Sequence, residues 1–375
     1  MSYGDRKIRV LFAHNSIPEY RIEFWRQLGN KVDLSIMITQ NGLEEKIYGF
    51  EKNINGLNII YYTPLMKMDD FVETYDLVVL PPVDSLVEYK IALQLRSAAK
   101  RRKKKYIYWT EKWVPDIKKQ PLKKRVKNAI QGWMIKSVAK DANCCIAAGS
   151  KSAEYYNLIG IGSSKVHIAF DSSTSPMLEK SIDIRERYKI KRKTIILYFG
   201  RIVARKGPDI LIDACKNLLD KYDAVLLMCG EGEDAEKCKL QAKDSPVIFT
   251  GKIQPVERRA FYQQSDIFVL PSYCMNGVCE AWGLTVNEAI ECGTPVIATT
   301  AVGAAYDILA NGSVAGIMIE ENNKNALETA IESVLSKNIA FSRDEIQEFY
   351  QRFSVEKMAD SFFEVFKSLM TVSEN

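Results

Sequence analysis

The sequence predicts an α/β protein with two doubly wound parallel-sheet, Rossmann-like domains, and three observations support this. Short apolar segments alternate with helical segments along both halves of the chain. The alternation restarts near residue 193, after a poorly patterned, Ser-, Thr- and charge-rich stretch. A length of 375 residues suits two hydrophobic cores better than one. We therefore expect a first domain at 1–175, a linker at 176–192, a second domain at 193–350 and a final helical segment at 351–375.

Each domain has its own series of predicted strands. In the first half they lie at 8–13, 32–38, 57–62, 75–80 and 105–109, with helices at 21–28 and 85–100. In the second half they lie at 194–199, 224–229, 246–249, 266–270 and 295–298, with a helix at 208–219. Because ligands of open α/β sheets bind beyond the carboxyl ends of the strands, we expect the two domains to face a cleft that holds the site.

Composition excludes several classes of protein. Hydrophobic residues make up 47% of the chain and charged residues 26%, which is typical of soluble globular proteins and not of disordered or fibrous ones. No apolar run approaches the ~20 residues of a membrane-spanning helix. The first residues, MSYGDRKIRVLFAHN, contain no apolar signal core. We expect a soluble, cytoplasmic protein.

The cysteines and histidines do not form a metal-site pattern. The eight cysteines include no C-x-x-C pair, and most stand in apolar surroundings, so we expect buried, reduced thiols. With His14 and His167 as the only histidines, a histidine-based metal site is not expected.

One candidate site follows the strand at 194–199. Gly200 and Arg201 open a turn that ends in Lys206-Gly207 and leads into a helix. Two cations five residues apart on such a turn suit a diphosphate, since Arg binds two oxygens at once and Lys adds a point charge. The alternative is a solvated turn with incidental surface charges.

A second candidate site lies at 280–288. Glu280 precedes Gly283-Leu284-Thr285, which starts a helix that carries Glu288. Amides at that N-terminus can hold a phosphate while a carboxylate accepts hydrogen bonds from hydroxyls. The alternative is a helix cap, with Thr285 at the N-cap position and Glu288 three residues later.

Together these motifs resemble those of a known family. They are G-R-x4-K-G at 200–207, G-E-G at 230–232, G-K at 251–252, QQSDIFVLPS at 263–272, E-x7-E at 280–288 and CGTPVIA at 292–298. In this order they resemble the retaining nucleotide-sugar glycosyltransferases of the GT-B fold, glycosyltransferase family 4. The Pro18-x-Tyr20-Arg21 turn resembles a subset that acts on bacterial surface polysaccharides.

The resemblance implies roles for matching positions. Arg201 and Lys206 would neutralise the donor diphosphate, Glu288 would bind the ribose hydroxyls, and Glu280 would lie against the donor sugar. The donor-binding set implied is Gly200, Arg201, Lys206, Glu280, Trp282, Gly283, Leu284, Thr285 and Glu288. No Asp-x-Asp motif occurs, so we expect no cofactor and no required metal ion. The final helix resembles one that crosses back to the N-terminal domain.

The first half departs from the family pattern. The histidine often found beyond a later strand is missing, and the corresponding segment reads Trp109-Thr110-Glu111. Glu111 is therefore our candidate to face the donor sugar or the acceptor hydroxyl, and it joins Arg201, Lys206 and Glu280 as a candidate catalytic residue. The alternative is an exposed glutamate that balances nearby lysines. His14 lies at the end of a strand and is expected to be a loop residue.

The charge distribution is uneven. Sixteen basic and two acidic residues lie between Arg96 and Lys140, a local charge of +14, whereas the rest of the chain carries −9. Basic residues near tryptophans suit an anionic membrane surface or nucleic acid, and a solvated helix face is the plain alternative. The resemblance favours the membrane, because such acceptors are often lipid-linked glycans. The candidate membrane or acceptor residues are Lys100, Arg101, Arg102, Lys103, Lys104, Lys105, Trp109, Trp113, Lys123, Lys124 and Arg125.

The resemblance thus implies a retaining, metal-independent hexosyltransferase at the inner face of the cell membrane. Its donor would be a UDP- or GDP-sugar and its acceptor a lipid-linked intermediate of a bacterial surface polysaccharide. The alternative is a non-catalytic sugar-nucleotide-binding subunit of a glycan-assembly complex. A nucleic-acid-binding protein would leave the motifs at 200–298 unexplained. A nicotinamide oxidoreductase is disfavoured because no complete G-x-G-x-x-G follows a strand.

Overall fold

The chain divides into two compact units. The computed structural model describes residues 6–40, 54–115, 120–174, 182–310 and 312–371. The first unit comprises Met1–Ser172 and Val355–Asn375, and the second comprises Ser173–Ser354. The described part of the predicted linker belongs to the second unit, because Ile184 is fully buried there.

A parallel sheet of seven strands forms the centre of the first unit. Its strands are β1 (Arg9–His14), β2 (Asp33–Ile38), β3 (Asn58–Tyr61), β4 (Leu77–Leu80), β5 (Lys105–Thr110), β6 (Cys144–Ala147) and β7 (Val166–Ile168). Their order is β3-β2-β1-β4-β5-β6-β7. The strand order reverses between β1 and β4, where Phe12 pairs with Ile36 on one side and with Val79 on the other.

Helices cover both faces of this sheet. They include α1 (Glu19–Lys31), α2 (Met68–Glu73), α3 (Leu86–Arg101), α4 (Leu122–Ala139) and α5 (Ser150–Leu158). Ser85 caps α3 by accepting a hydrogen bond from the Glu88 backbone. Neighbouring residues of β1 pack into separate cores on opposite faces of the sheet, since Leu11 and Phe12 are fully buried in different clusters. Burial on both faces explains why these strands are continuous apolar runs.

A second parallel sheet of six strands forms the centre of the second unit. Its strands are β8 (Thr194–Phe199), β9 (Ala224–Cys229), β10 (Val247–Gly251), β11 (Ile267–Leu270), β12 (Val296–Thr299) and β13 (Gly316–Ile319). Their order is β10-β9-β8-β11-β12-β13, so the reversal lies between β8 and β11. The helices of this unit include α6 (Ile184–Arg187), α7 (Pro208–Lys221), α8 (Ala235–Gln241), α9 (Arg258–Gln264), α10 (Leu284–Glu291), α11 (Gly303–Ile308), α12 (Lys324–Leu335) and α13 (Arg343–Tyr350).

The last helix, α14 (Val355–Thr371), packs in the first unit against α1. Its Phe362 ring lies 5.0 Å from the ring of Phe24 and 5.6 Å from that of Trp109, measured between centroids. Such aromatic pairs add to the apolar area that the helix buries. The chain therefore returns to the first unit after completing the second.

The predicted fold class, two doubly wound parallel sheets, is confirmed. Strands β6, β7 and β13 were not among the predicted strands. None of the helices in the described ranges is long and apolar enough to cross a membrane.

The cysteine prediction needs one correction. Cys274 and Cys279 form a disulfide, because the turn between them brings their backbones together. Met275 and Val278 exchange backbone hydrogen bonds of 3.1 and 3.0 Å across that turn. The other six cysteines are buried, as expected, and are unpaired.

Candidate functional site

The turn after β8 is shaped by two close approaches to its neighbours. Gly207 has φ 66° and ends a single 3₁₀ turn, Ala204–Lys206, directly before α7. A Cβ on Gly207 would lie 2.2 Å from the Pro271 carbonyl oxygen, just beyond β11. Tyr273 donates a backbone hydrogen bond of 2.9 Å to the Arg205 carbonyl. The turn is therefore fixed against the segment that follows β11.

The cations of this turn converge on Glu280. Lys206 donates a hydrogen bond to Glu280 Oε2, and Arg205 Nη1 lies 3.2 Å from the same oxygen. Burial alone would raise the pKa of Glu280, but Lys206 and Arg205 together hold it below its ordinary value. Glu280 is thus an ionised carboxylate between two cations. Arg201 has an exposed side chain, and no ion pair to it is found among the described residues.

Glu280 also links the turn to the N-terminus of α10. Gly283, with φ 102°, is the N-cap residue of that helix, and no side chain caps it. The alternative in which Thr285 is the N-cap is therefore wrong, because the helix begins two residues earlier than that reading requires. The first amides of α10 have no side-chain cap, which is the usual condition of an anion-binding helix start.

The loop that carries Glu280 is held in place by the segment after β12. Glu280 donates its backbone N–H to Ala301 and accepts from Gly303, at 2.9 and 3.0 Å. The buried Trp282 donates its indole N–H to Asn287 at 2.8 Å. These bonds fix Glu280 and the start of α10 relative to the sheet.

Glu288 lies in a buried polar network on α10. Its side chain is 6% exposed, and Tyr262 donates a hydrogen bond of 2.9 Å to Oε2. Arg258 Nη1 lies 3.5 Å from Oε1. Burial, and then the neighbouring Glu288 carboxylate, raise the pKa of Tyr262, so this hydroxyl remains a donor.

A second polar cluster lies at the carboxyl ends of the strands in the first unit. Arg21, on α1, is fully buried and its guanidinium forms a fork on Asp171, also fully buried. Its Nη2 lies 2.7 Å from Asp171 Oδ2 and also donates to Glu111 Oε1. The guanidinium stacks 4.6 Å above the centre of the Trp109 ring.

Two carboxylates share this one guanidinium. Burial, followed by the negative charge of Asp171, raises the pKa of Glu111 to about 7, although Arg21 opposes the shift. The alternative of an exposed Glu111 that balances nearby lysines is therefore wrong, because Glu111 forms its ion pair with the buried Arg21.

His14 lies beside this cluster in the core of the first unit. Its Nδ1 is 2.9 Å from the Ser16 carbonyl, so it donates there, and its ring is 5.5 Å from that of Trp25. Burial, and then the Arg21 charge, lower the pKa of His14 to about 3. His14 is thus a neutral, buried residue and not the loop residue that we expected.

The basic segment separates into two parts. The cations at 100–104 are largely ion-paired, through Lys100 with Asp141, Arg101 with Asp69, Arg102 with Asp70 and Glu73, and Lys104 with Glu73. Trp109 is 5% exposed in the core, so its place among the candidate membrane residues is a mistake. By contrast, Lys123 and Arg125 are exposed on α4, with Lys124 and Trp113 partly buried. Lys118 and Lys119 of this segment lie outside the described residues.

Five residues of these clusters had no chemical role assigned in the sequence prediction, although Arg21 was noted as part of a turn. They are Arg21, Asp171, Arg205, Arg258 and Tyr262. Arg205 lies inside the predicted turn, so the sequence could have indicated it as a third cation of the site. The others join residues far apart in the sequence, such as Arg21 and Asp171, and local pattern carries no sign of such pairs. In the described part of the chain, no group of three or more His, Cys, Asp or Glu side chains is placed to hold a metal ion.

Comparison with known proteins identifies the domain that carries the turn at 200–207 and the two glutamates. Residues 180–353, a little under half of the chain, match the model of the family described as Glycosyl transferases group 1. This match covers the turn at 200–207 and both glutamates, 280 and 288. The prediction of a glycosyltransferase domain is confirmed.

Two curated relatives match part of the chain. An uncharacterised glycosyltransferase from Methanocaldococcus jannaschii is 23% identical over 244 residues, 61% of each protein. A GDP-mannose-dependent alpha-(1-6)-phosphatidylinositol monomannoside mannosyltransferase from Mycolicibacterium smegmatis is 30% identical over 160 residues, 41% of each protein. The chain thus spans roughly two fifths to three fifths of the length of these relatives.

Among solved structures, the chain is similar to Anabaena HepE in complex with UDP. The TM-score is 0.74 at 16% identity, over 96% of this chain and all of that one. This likeness concerns the fold, and it confirms the predicted GT-B architecture.

Proposed function

We propose that this chain is a glycosyltransferase that moves a hexose from a nucleoside diphosphate sugar to a glycan acceptor, with retention of anomeric configuration. The observation that carries the proposal is the convergence of Lys206 and Arg205 on Glu280, next to the uncapped start of α10. This arrangement lies inside the segment that matches the group 1 family model. Cations, helix amides and a carboxylate together suit a sugar diphosphate.

The cations would act on the leaving group. Cleavage of the bond to the anomeric carbon places negative charge on the departing diphosphate, and fixed cations stabilise that charge most in the transition state. Lys206 and the exposed Arg201 would bind the diphosphate, with Arg205 as a third cation. Before a donor binds, the Glu280 carboxylate contacts Lys206 and Arg205. Both partly buried cations therefore have an anionic partner.

The two glutamates would have different tasks. Glu280 is partly exposed and would contact the donor sugar once the diphosphate binds the cations. Glu288 is oriented by Tyr262 and Arg258, and it would accept hydrogen bonds from the ribose hydroxyls. A carboxylate with fixed donors on one side is suited to accept hydrogen bonds from vicinal hydroxyls on the other.

The nucleoside of the proposed donor is uridine or guanosine. The mycobacterial relative is named for GDP-mannose, and the Anabaena structure contains UDP. Both names support a nucleoside diphosphate, and they differ in the base.

The acceptor would bind at the first unit. We place Glu111 against the acceptor hydroxyl or the donor sugar, because it extends from the end of β5 and remains 34% exposed beside the buried Arg21. A lipid-linked glycan as acceptor would place the protein at the inner face of the cell membrane.

A ligand panel followed by a turnover assay tests this function. At 100 times its dissociation constant a donor stabilises the folded chain by about 2.7 kcal/mol, so UDP- or GDP-sugars should raise the melting temperature while nicotinamide nucleotides do not. The chain should then turn over the same donor, and EDTA should leave the rate unchanged if the cations replace a metal. Donor binding without turnover would favour the non-catalytic alternative, and no response to any nucleotide sugar would contradict the proposal.

A further inference from the structure

Helix α4 presents apolar side chains to solvent. Leu122 is 73% exposed and Trp133 63%, and Val126 and Ile130 are more than half exposed. At about 3.6 residues per turn, positions 122, 126, 130 and 133 fall on one side of the helix. We refer to these four residues as the α4 stripe. A run of large exposed apolar residues on one helix face marks an interaction surface.

Cations border the α4 stripe on both sides. The same helical spacing places Lys123 and Lys127 along one edge and Arg125 and Lys136 along the other. All four are exposed, and the α4 sequence contains no Asp or Glu. An apolar face edged by Lys and Arg is the pattern of helices that lie in the interface of an anionic bilayer.

A groove continues the apolar surface between α4 and α5. Its volume is about 320 Å³, and it is lined mainly by apolar residues, among them Ala129, Trp133, Leu158 and Ile159. Gly132 forms part of its wall, where a Cβ would lie 3.1 Å from Ile159 Cγ2. Arg125 and Lys136 also line this groove, so its apolar interior adjoins two positive charges.

The groove contains one buried polar atom without a partner. Tyr155 lines it and is 3% exposed, and its hydroxyl has no hydrogen bond to any described residue. Burying a hydroxyl without a hydrogen bond is costly, so a group with an oxygen acceptor is expected there. The groove therefore suits a ligand that combines hydrocarbon, an oxygen acceptor and negative charge.

We propose that the α4 stripe and the α4–α5 groove form a docking site for anionic phospholipid in a bilayer surface. This rests on the proposed membrane location of the enzyme and assigns it to specific residues. A hydrocarbon chain occupies the groove, an ester oxygen accepts from Tyr155, and the lipid phosphate lies by Arg125 and Lys136. The lysines and arginines at 100–104 contribute less, because acidic residues of the same unit already neutralise most of them.

Vesicle sedimentation with charge-reversal variants tests the electrostatic part. The full chain is mixed with vesicles of phosphatidylcholine alone or of equimolar phosphatidylcholine and phosphatidylglycerol, and we expect binding to the mixed vesicles that high salt removes. A surface Lys or Arg contributes about fivefold in affinity, so Arg125→Glu with Lys136→Glu should weaken binding by roughly thirtyfold or more. The matched control is Lys103→Glu with Lys105→Glu, which makes the same change of charge at two lysines of the first unit outside α4. It should retain most of the binding, because neither lysine borders the α4 stripe.

Tryptophan fluorescence tests the apolar part. Entry of Trp133 into lipid should shift the emission of the parent protein to the blue, and Trp133→Phe should abolish that shift while it still sediments with vesicles. Leu158→Glu, on the α5 side of the groove, should weaken vesicle binding, whereas Leu240→Glu, on a 77% exposed leucine of the second unit, should not.

Three results would overturn this site. Equal losses from the two double variants would mean that overall charge and not α4 drives binding. An unchanged emission spectrum on bound vesicles would exclude insertion of Trp133, and full binding by Leu158→Glu would exclude the groove. Nucleotide-sugar binding, measured without vesicles, must be normal in all of these variants. This separate measurement distinguishes failure of the lipid site from failure of the transferase proposal.

Discussion

Single side chains of the first unit show how burial changes acidity. Arg21 is fully buried and contacts both Asp171 and Glu111, so one positive charge faces two carboxyl groups. Asp171 forms a fork with the guanidinium and also accepts the Ser172 N–H at 2.8 Å. Glu111 accepts one hydrogen bond from Arg21, whereas Asp171 accepts two, and the pKa of Glu111 rises to about 7. This carboxyl group therefore changes charge near neutral pH.

Replacement of Glu111 by Gln should change how stability depends on pH. Below pH 4.5 the carboxyl is protonated in the folded and the unfolded chain alike. Between pH 4.5 and 7 the unfolded carboxyl ionises while the folded one keeps its proton, so the wild type loses stability as pH rises, and the loss is complete above pH 7. Gln does not ionise, so the melting temperature of Glu111→Gln relative to wild type should increase over this range.

The control is Glu154→Gln, which changes an exposed glutamate of the same unit. Its ion pair with Lys151 is on the surface and is worth little, so its melting-temperature difference from wild type should be nearly flat with pH. A flat difference for Glu111→Gln as well would show that its carboxyl has an ordinary pKa.

At the residue scale, the sequence could indicate residues that meet in the structure where the signal was local. The turn at 200–207 and the glutamates at 280 and 288 are spaced along short segments, and the structure brings Lys206 and Glu280 into contact. The contact between Arg21 and Asp171 joins residues 150 positions apart. Only the folded sheet brings such residues together, so no local pattern could have predicted the pair.

At the scale of elements, the connection from β8 to α7 determines where the cations of the second unit lie. Gly207 permits the left-handed backbone that starts α7, and it also lets the turn approach Pro271. Both requirements act on the residue directly after Lys206. The position of Lys206 therefore depends on this glycine.

Gly207→Ala should unfold more easily than the wild type and bind nucleotide sugars less well. A left-handed alanine costs about 1 kcal/mol, and the clash with Pro271 adds about 1–3 kcal/mol, so we expect a loss of about 2–4 kcal/mol in denaturant unfolding. Gly56→Ala is the matched control, since Gly56 has φ 82° but nothing within 4 Å of its Cβ position. It should lose about 1 kcal/mol and keep full donor binding. Equal losses in the two variants would mean that the approach to Pro271 is unimportant.

Most elements were predictable because the sheets are buried on both faces. The strands at 194–199 and 224–229 match β8 and β9 to the residue. Strands β7 and β13 lie at sheet edges and are partly exposed, so their apolar signal is weak. Helix α14 belongs to the first unit because Phe362 and Phe366 are buried there, which depends on packing partners far away in the sequence, such as Phe24.

At the scale of the whole molecule, the two units repeat one topology and differ in charge. Each sheet reverses its strand order beside its first strand, β1 or β8, and each unit has its polar cluster beyond the carboxyl ends of strands. The sequence located the +14 segment in the first unit. It could not separate paired from unpaired cations, because Asp69, Asp70 and Glu73 lie some thirty residues away along the chain.

The central claim is that the second unit binds a nucleoside diphosphate through Lys206 and its neighbours, and calorimetric titration with UDP and GDP tests it most directly. The parent chain should bind one of the two. Lys206→Ala should bind it about tenfold to a hundredfold more weakly, because a charge-assisted hydrogen bond contributes about 1.5–3 kcal/mol. Lys216→Ala removes an exposed lysine of α7 that pairs with Asp213 on the surface, and it should bind as the parent does. Equal affinity in the parent, Lys206→Ala and Lys216→Ala, or no binding of either nucleotide by the parent, would contradict the account.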